Sequence, residues 1–274
     1  MKRMAVYVAL VAMATFSGSA FGVETRCSDT QDCGTTCSEN GWLIGDIEFL
    51  FLTYSQEGGV GDLDGNRADF DYELAPRFTF AYEGPGTLGI RVRYFDIDTD
   101  ALSTVGNAVG VEAYYIDLEY YQGVELGCRT ELEYSFGARY QDFAQFAGAP
   151  GPVATAGGQG LGGIVGLQLK REFWIGQMYA RGRFALMMGD ASITDGTAAP
   201  VVANDLTFTY GELGMGYEVS REIGNALLTL RGGFEWQHWG NVAVADTAFG
   251  GVGNDDVMED AGFAGLAAGV GLEW

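Results

Sequence analysis

Residues 69–83 read DFDYELAPRFTFAYE, and this stretch decides the fold. Phe70, Tyr72, Leu74, Pro76, Phe78, Phe80 and Tyr82 fall on one side of an extended chain. Asp69, Asp71, Glu73, Ala75, Arg77, Thr79, Ala81 and Glu83 fall on the other. Successive side chains of a strand point to opposite faces, so the period is two, where a helix would need 3.6. Strands of soluble proteins usually run about five or six residues, and this alternation is far longer. One face is ring-rich and the other charged or small. That is the pattern of a membrane-barrel strand, with lipid outside and a polar lumen inside.

The same alternation recurs along the chain. Leu88, Ile90, Val92 and Tyr94 oppose Gly89, Arg91 and Arg93. Tyr114, Ile116, Leu118 and Tyr120 oppose Tyr115, Asp117 and Glu119. Leu132, Tyr134, Phe136, Ala138 and Tyr140 oppose Glu131, Glu133, Ser135, Gly137 and Arg139. Arg181 and Arg183 alternate with Phe184 and Leu186. Leu228, Leu230, Phe234 and Trp236 oppose Thr229, Arg231, Gly233 and Glu235. In 206–219 the phase slips near Gly211, which predicts a bulge there.

These segments predict an all-β fold of ten antiparallel strands at 42–54, 69–83, 87–98, 111–122, 129–143, 160–171, 176–189, 205–220, 225–239 and 262–274. The connections alternate in length. Those at 84–86, 123–128, 172–175 and 221–225 are short; those at 55–68, 99–110, 144–159, 190–204 and 240–261 are long. An up-and-down transmembrane barrel has short periplasmic turns and longer outer loops in this order. The last strand sets Leu266, Val270, Leu272 and Trp274 on one face and ends on an aromatic residue. This suits recognition by barrel-assembly machinery.

Ahead of the strands, residues 1–22 read as a cleaved signal peptide: Lys2 and Arg3, an apolar core from Met4 to Phe16, then small residues to Gly22. That core is too short to span a bilayer. Residues 23–41 form a cysteine-rich periplasmic segment, and 42–274 the barrel. Cys27, Cys33, Cys37 and Cys128 share one compartment in this topology. Two disulfides are expected, with the pairing open. No metal site is expected, because no histidine lies near them.

Charge and composition exclude other classes. With 37 acids against 15 bases the formal charge is −22, which argues against nucleic acid as a partner. Forty-three glycines and 13 % aromatics fit a crowded barrel wall and not a disordered acidic chain. Gly158 to Gly163 imitates a dinucleotide fingerprint but lacks a βαβ setting, so no cofactor is expected.

The stretch Tyr72 to Arg77 (YELAPR), the turn Gly84 to Gly86 and the strand Leu88 to Tyr94 (LGIRVRY) resemble the pore-forming outer-membrane proteins of the Legionella major type. Asp117 to Glu119 and Phe136 to Tyr140 are similar to that group as well. The likeness covers residues 42–145. It implies a barrel that forms a pore, and it implies no catalytic residue.

Function should therefore lie on the inward face, with outer-membrane lipid as the surroundings and small ions or solutes as the traffic. The lumen-lining residues would be Glu73, Arg77, Arg91, Arg93, Asp117, Glu119, Glu131, Glu133, Arg139, Arg181, Arg183, Arg231 and Glu235, joined by Lys170 and Glu218. Ten strands lie near the size at which side chains fill the interior. Opposite charges confined there should pair. The expectation is a narrow, salt-bridged pore or envelope-structural barrel with small, cation-favouring conductance, not an enzyme.

Two alternatives carry named residues. Acidic outer loops (Asp62, Asp64 and Asp69; Asp96 to Asp100; Asp246, Asp255, Asp256, Glu259 and Asp260) would suit a surface-binding or adhesion barrel. Asp96, Asp98 and His238 would suit a rim hydrolase. However, Trp236 stands where a second acid is needed, and His238 shares the outward parity of Trp236. An exterior aromatic belt of Trp236 and Trp239 is the simpler expectation for that region.

Overall fold

The computed structural model describes residues 41–56, 69–84, 88–102, 108–148, 153–194, 200–243 and 258–274. They form ten strands: β1 (Trp42–Gln56), β2 (Glu73–Glu83), β3 (Leu88–Leu102), β4 (Ala108–Glu125), β5 (Thr130–Gly148), β6 (Val153–Phe173), β7 (Gly176–Thr194), β8 (Val201–Ile223), β9 (Ala226–Ala243) and β10 (Met258–Glu273). Each pairs antiparallel with its sequence neighbours, and β1 pairs with β10 to close the barrel. Closure leaves no strand edge open, the condition for a sheet to cross hydrocarbon. Leu43 and Trp274 exchange two backbone hydrogen bonds of 3.0 Å, so both described ends meet at the end of the short turns.

Strand faces follow the two-residue period. Leu161, Leu186, Met215 and Leu266 lie outward and are 62, 53, 63 and 62 % exposed. An apolar surface this extensive, circling the whole barrel, belongs in lipid. Leu266, Val270, Leu272 and Trp274 all face out from β10 or its end. At the short-turn end Cys128 sits in the β4–β5 connection; Cys27, Cys33 and Cys37 lie outside the described residues.

Four expectations need correction. First, most strands run further toward the loop end than predicted: β5 and β6 stay paired to Gly148 and Val153, and β7 reaches Thr194. Those ends are rich in glycine and alanine, so their alternation is faint although their backbones still pair. Asp100 consequently stands on β3 and not in a loop, in the same outward phase as Asp96 and Asp98. Asp62, Asp64, Asp246, Asp255 and Asp256 lie outside the described residues.

Second, β2 is shorter than its pattern. Pairing with β1 stops at Leu52–Glu73, and Asp69 to Tyr72 are not strand. Phe70, expected to face lipid, packs edge-on against Tyr54 at 4.9 Å, and its carbonyl accepts from Thr53 Oγ1 at 2.9 Å.

Third, no bulge occurs at Gly211, where β7–β8 pairing is continuous. The irregularities lie at Asp205 and Asn241, which take left-handed backbone with φ of 58° and 59°. Asp and Asn tolerate that conformation. Each amide is held from the facing strand, by Asp190 at 3.3 Å and Asp260 at 3.0 Å.

Fourth, Trp239 is inside the barrel and fully buried, whereas Trp236 is outside and 40 % exposed.

Candidate functional site: a lumen filled in two layers

The charged layer is built around Arg77 of β2, which is 0 % exposed. Its Nη1 and Nη2 donate to the two carboxylate oxygens of Glu235, both at 2.7 Å, and its Nε donates to Glu48 at 2.7 Å. Glu212 lies 3.5 Å away. These acids come from β9, β1 and β8, so one guanidinium ties together walls on opposite sides of the tube. Arg181 of β7 binds the same three carboxylates: Glu48 at 3.0 Å, Glu212 at 3.2 Å, and Glu235 through its shortest contact.

Smaller pairs surround this centre. Arg231 meets Asp46 at 2.9 Å, and Arg91 meets Glu119 at 3.0 Å and Glu133 at 2.6 Å. Arg139 grips Asp117 with two bonds of 2.6 and 2.7 Å, and Lys170 meets Glu218 at 3.0 Å. Arg183 and Arg93 stand further from their acids, 3.7 Å from Glu119 and 3.6 Å from Glu212.

Taking each ion out of water costs several kcal/mol, so such a set holds only while its members neutralise one another. Bidentate arginine–carboxylate geometry is the strong form of that pairing. Small residues make space for it. A Cβ on Gly269 would come within 2.9 Å of both Arg231 and Glu48.

Above this, toward the loop end, the lumen is apolar. Leu50, Leu52, Phe95, Tyr115, Phe143, Phe208, Tyr210, Trp239 and Phe263 are inward and buried. Trp239 is the centre. Its ring meets Tyr210 at 5.2 Å and 89°, Phe143 at 5.8 Å, and Phe263 at 6.2 Å and 74°. Edge-on and tilted contacts of this kind add to the burial of large rings.

Three links join the layers. Arg139 lies between Tyr115 and Tyr210, 3.8 and 3.7 Å from their ring centres, while holding Asp117. A cation stacked this way, out of water, gains about 2 kcal/mol. Tyr210 donates its hydroxyl to Glu212 at 3.0 Å. Trp239 donates to Gln237 at 3.2 Å, and Gln237 to Glu235 at 2.8 Å.

Among the residues expected in the lumen, Arg77, Arg91, Arg93, Asp117, Glu119, Glu133, Arg139, Arg181, Arg183, Arg231 and Glu235 share this interior. Glu73 and Glu131 keep the inward phase but stand at the mouths: Glu73 at the loop end opposite Leu52, and Glu131 exposed at the turn end, in register with Lys170. Sequence reasoning missed Asp46, Glu48 and Glu212, and the aromatic layer apart from Tyr115, which its phase with Asp117 and Glu119 placed inward. Asp46 and Glu48 carry the right signal, two acids in phase ahead of an apolar strand (DIEFLFL).

The rim residues do not converge. Asp96 and Asp98 face outward on β3, and His238 faces outward on β9, with β2, β1 and β10 between them. His238 stacks on Trp236 at 5.7 Å and lies 3.6 Å from Asp260. Gly158 to Gly163 lies within β6, where the backbone amides serve the sheet.

No protein-family model matches the chain, and no curated protein matches it in sequence. Among solved structures it is similar to the outer-membrane protease OmpT of Escherichia coli, with TM-score 0.50 and 8 % identity over 85 % of this chain and 96 % of that one. A major outer-membrane protein of Thermus thermophilus covers 85 % of this chain and 99 % of its own at 12 % identity and TM-score 0.43. The translocator domain of the autotransporter NalP from Neisseria meningitidis covers 86 and 89 % at 13 % identity and TM-score 0.49. At 8 % identity the likeness to OmpT is one of fold. Together with the closed wall and apolar exterior, it defines the class: a bacterial outer-membrane β-barrel of ten strands.

Proposed function

We propose that this chain is a sealed outer-membrane barrel that serves envelope structure, and that any conduction passes through a narrow path opened by displacing lumen side chains. One observation carries the reading: Arg77, Arg139 and Trp239, reaching into the lumen from different walls, are each 0 % exposed. A standing aqueous pore would wet at least one of them. Kinship with the pore-forming Legionella-type proteins rests on motifs whose inward members, Arg77, Arg91, Arg93, Asp117, Glu119 and Arg139, act here as fillers. The apolar outward face of β10, with Leu266, Val270 and Leu272, supports delivery by barrel-assembly machinery, and the four cysteines support bridging between residues 27–37 and the β4–β5 turn.

The test is a pair of assays. Liposomes carrying the refolded protein should not swell in small sugars. A strain lacking it should become sensitive to detergent and bile salts while solute uptake is unchanged. Rapid swelling would replace this reading with a constitutive pore. A second reading, surface binding, draws on the outward acids Asp96, Asp98 and Asp100 of β3 with Glu112 and Asp142 on the adjoining β4 and β5. Ligand capture that requires those acids would favour it.

A further inference from the structure

The outer wall carries a hollow that a plain lipid-facing surface does not need. On the outside of β6 to β9, near the turn end, lies a recess of about 500 Å³ bordered by Phe173, Trp174, Met178, Met215 and Tyr217 and floored by Gly232. Strand register sets Arg171, Met178, Tyr217 and Gly232 in one row across the four strands. Gly232 puts no side chain on its outward position. Tyr217, the neighbour that could cover it, leans the other way over Gly176 and donates its hydroxyl to the Phe173 carbonyl at 2.9 Å.

Packing does not force the gap. A Cβ on Gly232 would meet nothing nearer than a carbonyl at 3.9 Å, whereas one on its inward neighbour Gly233 would strike a carbonyl at 2.3 Å. Gly233 is required by its surroundings and Gly232 is not.

Charge points to an occupant. Outside the lumen, the basic residues among the described ones are Arg129, Arg171 and Arg221, and all three lie at the turn end. Arg171 stands on an outward position of β6 beside Met178. Arg221 stands on an outward position of β8, four residues below Tyr217 and roughly 13 Å along the strand. Glu172 and Glu222 occupy the opposite phase of those strands. The outward acids Asp96, Asp98, Asp100, Glu112 and Asp142 are at the far end of the barrel. An apolar slot with an arginine collar at the inner membrane surface complements a hydrocarbon chain joined to an anionic phosphate.

We propose that the wall binds one anionic phospholipid of the inner leaflet, its acyl chain in the recess against Gly232 and its headgroup at Arg171 and Arg221. Native mass spectrometry of the refolded full chain, with added phosphatidylglycerol or phosphatidylethanolamine, tests this. The wild type should retain phosphatidylglycerol in preference, by about fivefold for each arginine. Gly232→Phe fills the recess and should lower that retention about tenfold, with heat-modifiable gel migration unchanged. Arg171→Gln with Arg221→Gln should remove the preference between the two lipids and keep weak binding of both. Equal retention by wild type and Gly232→Phe would overturn the proposal. So would equal uptake of the two lipids by the wild type, or a dimer that Gly232→Phe abolishes, since a second copy would then be the occupant.

Discussion

The two layers of the lumen fill the same tube by opposite means. In the charged layer every contact is conditional: Arg77 is stable in a dry interior only because Glu48, Glu212 and Glu235 surround it, and those acids depend on it and on Arg181 in return. In the aromatic layer around Trp239 the contacts are many, weak and independent, and losing one leaves the others intact. Charge fixes which side chains meet across the barrel, and rings occupy the remaining volume.

That difference can be broken experimentally, beginning where the effect is largest. Arg77→Ala should destabilise the barrel by about 5 kcal/mol, because three buried acids lose a shared partner. Urea unfolding in detergent micelles, read by gel migration, measures it. A loss below about 1 kcal/mol would mean that water already reaches the network and screens it. Trp239→Ala should cost about 3 kcal/mol through the cavity it leaves, with the Arg77–Glu235 pairing beneath intact and only the bond to Gln237 lost.

Arg139→Lys probes the seam between layers. Lysine keeps the charge but cannot hold Asp117 with two bonds while lying flat between Tyr115 and Tyr210, so a loss of about 1–2 kcal/mol is expected. Smallest of all, Phe184→Ala on the lipid face should cost about 1 kcal/mol, because the half-exposed ring loses its contact with hydrocarbon but no cavity is left behind. An equal loss at Phe184 and Trp239 would erase the distinction between wall and filling.

The same contrast explains what the sequence made legible. Where the lumen is charged, polarity reports the face directly, and residues 69–83, 88–94, 114–120 and 130–140 gave their inward sets almost in full. Where the lumen is apolar, both faces carry the same chemistry. In β1 the run from Phe49 to Leu52 alternates lipid and lumen with no change of polarity, and in β8 Phe208 and Tyr210 are inward in phase with Glu212. Read by polarity alone, that second run looks like a slip at Gly211, and Trp239 looks like a partner for Trp236. Strand count, closure and turn order were legible because they depend on period and spacing. The aromatic layer beyond Tyr115 was not, because rings in an outer-membrane strand point to lipid unless something across the tube receives them. The short β2 was missed for a related reason: Asp69 to Tyr72 keep the alternation of a strand but have no strand partner, and Phe70 turns inward to Tyr54.

The most direct measurement is single-channel recording of the refolded protein in a planar bilayer, wild type beside Trp239→Ala/Tyr210→Ala. A filled lumen predicts a wild-type trace at the level of the bare membrane, with at most brief small openings. The double variant, with the aromatic layer hollowed out and only the ion-paired layer left, should open more often and favour cations. A steady conductance in the wild type, unchanged when those two rings are removed, would contradict it.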